Sequence, residues 1–395
     1  MKKVLWIQIV SYKPNSDAPA NRAVAFANFF KERGWKVNII TNGNKNTIEN
    51  DDGIVIYRLN NRFYYKKKNI INRLLSNLVF LHKTKTVIKK NKMNIKNSFF
   101  MASSPELITS KAGFLAKKHG AVFVFDVRDI WPEVAIEMNA FPEKSIFAKI
   151  FRKCANKLYD KADHITTVTK RKTEYLRKYL NYRYASKVHY IANGFDLNDL
   201  KLEPDYSVIE KYSLTNQQIV SYVGNVGAAQ GLDILLSLAE SYKKIFFLIC
   251  GKGKELEKLQ LNVKEKQLNN VIFTGSITKN AAIAVTKYSY ISFISLQSEK
   301  MRDSVPTKLY ESLGFGTPVF LIAEGEAVEI LNESRLGVSA NPVDFNGIKK
   351  QFKEMIENYE NIIANKDYAI NFIKKEHSRQ RAAENLLNIF EMHLN

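Results

Sequence analysis

Short β-rich apolar runs alternate with helical patterns along nearly the whole chain, and this alternation restricts the fold more than any other feature of the sequence. In the first half the runs are VLWIQIV from Val4, VNIIT from Val37, SFFMAS from Ser98, VFVFDV from Val122, HITTVT from His164 and VHYIAN from Val188. In the second half they are IVSYVGN from Ile219, FFLICG from Phe246, VIFTGS from Val271, YISFISL from Tyr290 and PVFLIA from Pro318. Runs this apolar, parted by helical stretches, are strands buried on both faces of a parallel sheet made of βαβ units. The two series are separated by NGFDLNDLKLEPDYSVIEKYSLTNQQ, a polar, turn-rich stretch that predicts a linker. A chain of 395 residues suits two cores better than one. The expected architecture is α/β, with two Rossmann-like, doubly wound domains facing a central cleft. Its boundaries are 1–195 for the first domain, 196–217 for the linker, 218–365 for the second domain and 366–395 for terminal helices that pack back on the first.

Charge narrows the partners. The chain carries 60 Lys and Arg against 39 Asp and Glu, a formal net charge of +21. Much of the excess lies between Asn61 and Pro105, where no acid occurs and Lys66, Lys67, Lys68 and Arg73 begin a run of basic residues. Within IINRLLSNLVFLHKTKTVIKK, Ile71, Leu74, Leu75, Leu78 and Leu81 recur at helical spacing. A basic amphipathic helix beside RFYYKKK suits an anionic membrane surface, the alternative being a core helix with solvated lysines. A nucleic-acid-binding protein would instead interleave basic and aromatic residues across an open face, so nucleic acid is not an expected partner.

The first residues, MKKVLWIQIV, have the basic tip of a signal sequence, but Gln8 breaks a short apolar run, and a buried first strand is expected. No run approaches the roughly 20 apolar residues of a membrane-spanning helix. Cys154 and Cys250 lie in apolar contexts that predict buried thiols in a reducing compartment. His82, His119, His164, His189, His377 and His393 show no metal-ligand spacing, and no metal or other cofactor is expected.

Glycine turns follow three strands of the second half. SYVGNVGAAQGLD places Gly224, Asn225, Gly227 and Gly231 between a strand and an amphipathic helix; CGKGKELEKL does the same with Gly251, and FTGSIT ends a strand at Gly275 and Ser276. Such turns either let backbone N–H groups approach a phosphate or simply close tight βα connections. RDSVPTKLYESLGFGTPVF, from Arg302, is more specific. With Ser304 as cap, a helix over 305–315 would end before Gly316. Thr307, Lys308 and Glu311 then share one face, and Val305, Leu309 and Leu313 the other. A lysine at a helix start opposes the helix dipole and calls for an anion, a phosphate or the carboxylate of Glu311 itself.

The spacing of Asp303 and Glu311, the following GFGTPV, and YVGNVGAAQGLD, CGKGKELEKL, VIFTGSI, IANGFD and DVRDIWPE together resemble a retaining glycosyltransferase of the GT-B fold, group 1 (family four), of the kind that builds bacterial O-antigen and capsule. The resemblance implies that Glu311 holds the donor ribose and that Asp303, an Asp where relatives carry Glu, faces the donor sugar. It implies that Gly224, Asn225, Gly227, Gly251, Ser276 and Thr307 lie at the donor, and that backbone near Gly325 and Glu326 approaches the sugar. Relatives carry Arg and Lys in the first glycine turn, where this chain has Asn225 and Gln230, so Lys308 becomes the candidate for the diphosphate. In DVRDIWPE, where many relatives place a histidine, Asp126, Arg128 and Asp129 stand instead. Arg128 and Asp129 are the candidates to orient or deprotonate an acceptor hydroxyl, unless Asp129 only caps a turn or pairs with Arg128.

The expected activity is transfer of a sugar, an N-acetylated hexosamine or deoxyhexosamine, from a UDP-sugar to a polyprenyl-diphosphate-linked saccharide, with retention and without a metal. The enzyme is expected in the cytoplasm, attached through Lys66, Lys67, Lys68 and Arg73 to the inner face of the cytoplasmic membrane. A nucleotide-sugar 2-epimerase on the same fold is the alternative enzyme, and a basic nucleic-acid-binding protein the more distant one.

Overall fold

The computed structural model describes residues 2–15, 17–64, 70–104, 107–137, 141–182, 184–297 and 303–394. It divides into two units, Met1–Asn193 with Arg379–Asn395, and Gly194–Ser378.

The first unit holds strands β1 (Val4–Gln8), β2 (Lys36–Gly43), β3 (Thr47–Asp51), β4 (Ile54–Asn60), β5 (Phe99–Ser104), β6 (Val122–Val127), β7 (His164–Thr167) and β8 (Val188–Tyr190). They form one sheet in the order β3-β4-β2-β1-β5-β6-β7-β8, parallel throughout except at β3. Side chains alternate across a strand, so Val4 and Trp6 enter one core while Leu5 and Ile7 enter the other. An apolar run is what a doubly covered strand requires. The β3–β4 hairpin was not expected: Ile48 is 71% exposed and β3 has no buried face, although Asp52-Gly53 between the strands is a hairpin turn signal.

The second unit holds β9 (Ile219–Val223), β10 (Phe246–Cys250), β11 (Val271–Gly275), β12 (Ile291–Ser295), β13 (Val319–Ile322) and β14 (Gly337–Ala340), all parallel in the order β11-β10-β9-β12-β13-β14. The chain order reverses between β9 and β12. Loops leaving those two strands diverge to opposite faces, and this opens a crevice at their C-terminal ends.

Two boundaries differ from those expected. Residues 196–217 contain the turn Leu197–Lys201 and the helix Ser207–Lys211, and they belong to the second unit. Ile209 and Leu214 are buried among Leu248 and Cys250, an anchoring that the polar residues around them obscure. The terminal helices separate: Lys366–Glu376 packs through Ala369 and Ile373 in the second unit, whereas Arg379–Leu394 returns to the first. There Phe390 stacks on Phe99 with centroids 4.1 Å apart, beside Phe30 and Trp35.

Cys250 is buried and Cys154 only partly so; both are free thiols. Among the described residues no helix is long and apolar enough to cross a membrane. The helix Ile70–Lys90 turns Phe80, Leu81 and Ile88 inward but leaves Leu74, Leu75 and Leu78 exposed.

Candidate functional site

The helix of the Asp303–Glu311 stretch runs from Thr307 to Phe315, two residues shorter than expected. Its N-cap is Pro306, without a side-chain cap hydrogen bond, so Ser304 does not cap it. Val305, Leu309 and Leu313 are buried as their spacing requires, and Gly316 closes the helix in the left-handed region at φ 76°. This burial fixes the opposite face, on which Thr307, Lys308 and Glu311 remain partly exposed.

Lys308 is the centre of the site. Its Nζ lies 3.8 Å from the centroid of the Tyr222 ring, at the end of β9. A Cβ placed on Gly224 would meet that Nζ at 2.8 Å, so the glycine leaves the space that the ammonium fills. Lys308 keeps some solvent exposure, and burial pushes its pKa down to about 7 against the pull of the Glu311 carboxylate. Here is a cation held short of its preferred charge state, beside the first glycine turn and at the switch point of the sheet.

Around it the glycine turns pack backbone against backbone. Gly224 donates its N–H to the Cys250 carbonyl at 2.8 Å and Val226 to that of Lys252 at 2.9 Å. A Cβ on Gly251 would fall 1.8 Å from the Gly224 oxygen, so this position is glycine first because two loops touch. Gly227 sits between the side chains of exposed Asn225 and Gln230, and the Gln230 Oε1 is buried without a hydrogen-bond partner. Gln297, after β12, donates its N–H to the Ala229 carbonyl at 3.1 Å and lays its side chain over Gly231, joining the two loops that flank the crevice. Ser276 is not brought to Lys308: it is exposed beyond the edge strand β11, two strands from β9 and roughly 10 Å across the sheet. Asp303 lies half-buried in the turn before the helix. Glu326 is buried at the start of the helix Glu326–Ser334, behind Gly325 at φ 75°.

In the first unit, strand ends gather a second charged group. Asp126 is wholly buried, bonded to Arg22 at 3.2 Å, Ser103 at 2.8 Å and Thr166 at 2.7 Å. These partners hold its carboxyl below the usual range despite burial, and its role is to tie β6 to its neighbours. Arg22 also donates to the Ala192 and Ile191 carbonyls. Asp129 pairs with Lys172 at 3.3 Å, and Lys172 also donates to the Arg128 carbonyl at 2.7 Å. The Asp129 side chain is 42% exposed and that of Lys172 only 9%, so the lysine is a fixed post that aims the carboxylate. Burial lowers the pKa of Arg128, and Asp126 and Asp129 oppose the change. Lys172 and Arg22 were missed by sequence reasoning; a basic residue on the apolar face of a helix, as in ANRAVAF, is the signal that could have found Arg22. Arg73 is exposed and stands 5.8 Å over the Trp131 ring, while Lys66, Lys67 and Lys68 lie outside the described residues.

Comparison with known proteins matches both units. The family model of group 1 glycosyl transferases covers residues 208–375, and that of glycosyltransferase family 4 covers residues 20–199. A probable glycosyltransferase of Pseudomonas aeruginosa, WbjE, is 21% identical over 302 residues, 74% of each chain. Among solved structures, sucrose-phosphate synthase from Thermosynechococcus elongatus superposes with a TM-score of 0.79 at 14% identity over 99% of both chains. Anabaena HepE in complex with UDP-glucose superposes with a TM-score of 0.71 at 14% identity, over 98% of this chain and 99% of that one. With its doubly wound parallel sheets, its glycine turns at a switch point and a matched family model over each unit, the chain belongs to the group 1 glycosyltransferases of the GT-B fold.

Proposed function

We propose that this glycosyltransferase takes a sugar from a UDP-sugar, releasing UDP, and delivers it, with retained configuration, to a hydroxyl of a polyprenyl-diphosphate-linked saccharide in O-antigen or capsule assembly. The observation that carries the donor half is Lys308, whose Nζ meets Gly224 and the Tyr222 ring at the mouth of the β9–β12 crevice. A diphosphate seated there would gain a charge-assisted contact, and the leaving UDP would be neutralised by the lysine and helix N-termini without a metal. Glu311, on the same helix face, takes the ribose hydroxyls, and Asp303 faces the sugar. HepE, which has been captured with UDP-glucose, favours a uridine donor. An N-acetylated hexosamine or deoxyhexosamine is the sugar we assign.

The acceptor half rests on the first unit. Asp129, aimed by Lys172, is the carboxylate for the acceptor hydroxyl, with Arg128 beside it. Exposed Leu74, Leu75 and Leu78 lie in a segment with no acid from Asn61 to Pro105, and Ile146, Phe147 and Ile150 are exposed on the helix Ile146–Lys161. Apolar side chains among basic ones suit the interface of an anionic membrane, where a lipid-linked acceptor resides. We place the enzyme on the inner face of the cytoplasmic membrane.

Product analysis with a panel of UDP-sugars and synthetic polyprenyl-diphosphate acceptors tests the reading. A lipid-linked product whose new bond keeps the donor anomer is expected. Lipid-independent conversion of a UDP-sugar to its C2 epimer, with UDP still attached, would replace transfer by 2-epimerisation.

A further inference from the structure

The second unit has a cavity at the end opposite the crevice. Its volume is about 310 Å³, and it opens where β9, β12 and β13 begin, between Gln218, Tyr290 and Pro318. Tyr290 and Tyr359 stack on one another inside it with centroids 3.8 Å apart and planes at 25°. Lys287 and Lys366 stand at its rim with Gln217 and Gln218. The stem of Lys366 lies against Gly316, where a Cβ would come within 2.7 Å of it, so the left-handed glycine that ends the Thr307–Phe315 helix also seats this lysine.

Apart from Lys287, whose Nζ stands 5.9 Å over the Phe315 ring, the polar ends of these residues are uncommitted. The phenols of Tyr290 and Tyr359, the side-chain amides of Gln217 and Gln218, and the ammonium groups of Lys287 and Lys366 make no hydrogen bond or ion pair among the described residues. The residues that line the cavity include two lysines and no carboxylate, which leaves a positive rim even though the charge of Glu360 reaches both rings. Because the two rings are stacked on each other, they offer no open slot for a nucleobase. They present hydroxyls and ring edges instead, next to two amides. This is a surface for a hydroxyl-rich ligand carrying negative charge.

We propose that this cavity is a subsite for a short acidic saccharide, its hydroxyls on Tyr290, Tyr359, Gln217 and Gln218 and its carboxylate or phosphate on Lys287 and Lys366. It lies beyond the far end of the helix that carries Lys308, roughly 12 Å along its axis from that residue. The inference does not depend on the donor assignment.

Saturation-transfer NMR on the full chain, in saturating UDP to keep the crevice occupied, tests it with three probes: glucuronic acid, glucose 6-phosphate and glucose. Signal from an acidic sugar, little from glucose, and an affinity about tenfold weaker in the double variant Lys287→Ala, Lys366→Ala are expected. Response to glucuronic acid alone identifies a uronate as the natural group, and response to glucose 6-phosphate alone identifies a sugar phosphate. Glucose binding as well as the acidic sugars, no binding of either acid, or an unchanged affinity in the double variant would each overturn the proposal. UDP binding checks that the variant is folded. Should the double variant lose UDP binding, Gln217→Ala with Gln218→Ala, both exposed, replaces it, with weakened binding supporting the site and unchanged binding overturning it.

Discussion

Binding of UDP at pH 8 should draw a proton from solution, because burial lowers the Lys308 pKa to about 7 and leaves the amine mostly uncharged at that pH. With its pKa pushed down to about 7, only about one-tenth of the free protein carries that proton at pH 8. A diphosphate in contact with Nζ favours the ammonium strongly, so binding should take up about 0.9 proton at that pH. The UDP phosphates are already fully ionised there and add little of their own. The sign follows from linkage. A ligand that prefers the protonated site binds less tightly as pH rises above 7, by up to about tenfold per pH unit. The unliganded protein behaves oppositely: its unfolded state holds the proton up to the ordinary lysine range, so stability rises with pH from about 7 towards 10.5. Calorimetry of UDP binding at pH 8, in Tris and in HEPES, reads the uptake directly as the dependence of the observed heat on buffer ionisation enthalpy. Lys308→Met should abolish that dependence and weaken UDP by roughly 1.5 to 3 kcal/mol, while leaving uridine unchanged. Equal heats in the two buffers, together with equal UDP affinity in parent and variant, would refute the placement of the diphosphate at this lysine.

Other outcomes follow from the same structure. If Glu311 accepts from the ribose, 2′-deoxy-UDP or 3′-deoxy-UDP should bind the parent about ten- to a hundredfold more weakly than UDP, and Glu311→Ala should lose that preference by calorimetry. Reversing Lys66, Lys67 and Lys68 to Glu should release the protein from anionic vesicles in a sedimentation assay without loss of UDP binding, since each basic residue near such a surface contributes about 1 kcal/mol. Phe390→Ala should destabilise the first unit by about 3 to 5 kcal/mol in urea melts, because the ring is fully buried against Phe99, Phe30 and Trp35. His164 bonds to both His189 and His393, and burial pushes His164 and His189 down to about 4, so both are neutral at pH 7. Between their ordinary value of 6.5 and about 4 the unfolded chain binds the extra protons, so the first unit should lose stability as pH falls through that window, and lose less of it in His164→Gln, as urea melts at pH 7 and pH 5 would read.

What could be read from the sequence divides along a physical line. Most strands with an apolar run were legible, because a doubly covered parallel strand must be apolar on both faces, as Leu5, Trp6 and Ile7 are; β4, IVIYRLN, was passed over although Ile54, Ile56 and Leu59 are buried. Strands without that demand were not: β3 has an exposed face and β14, GVSA, has no apolar alternation to see. The site shows the same division. Lys308 could be singled out because a cation at a helix start is locally unfavourable, and local disfavour shows in a linear pattern. Its partner could not, since Tyr222 is 86 residues away and meets it only when β9 and the Thr307–Phe315 helix converge. Gly251 looked like a ligand-binding glycine and is first a packing one, for a missing Cβ has the same signature whether a phosphate or a carbonyl fills the space. Lys172 left no trace, since a lysine on a basic helix is unremarked until burial makes it a fixed post for Asp129. Sequence therefore reveals the residues a site strains and hides those that merely hold it in place, and in this chain the hidden set, Tyr222, Gln297, Arg22 and Lys172, is the one that turns separate motifs into geometry.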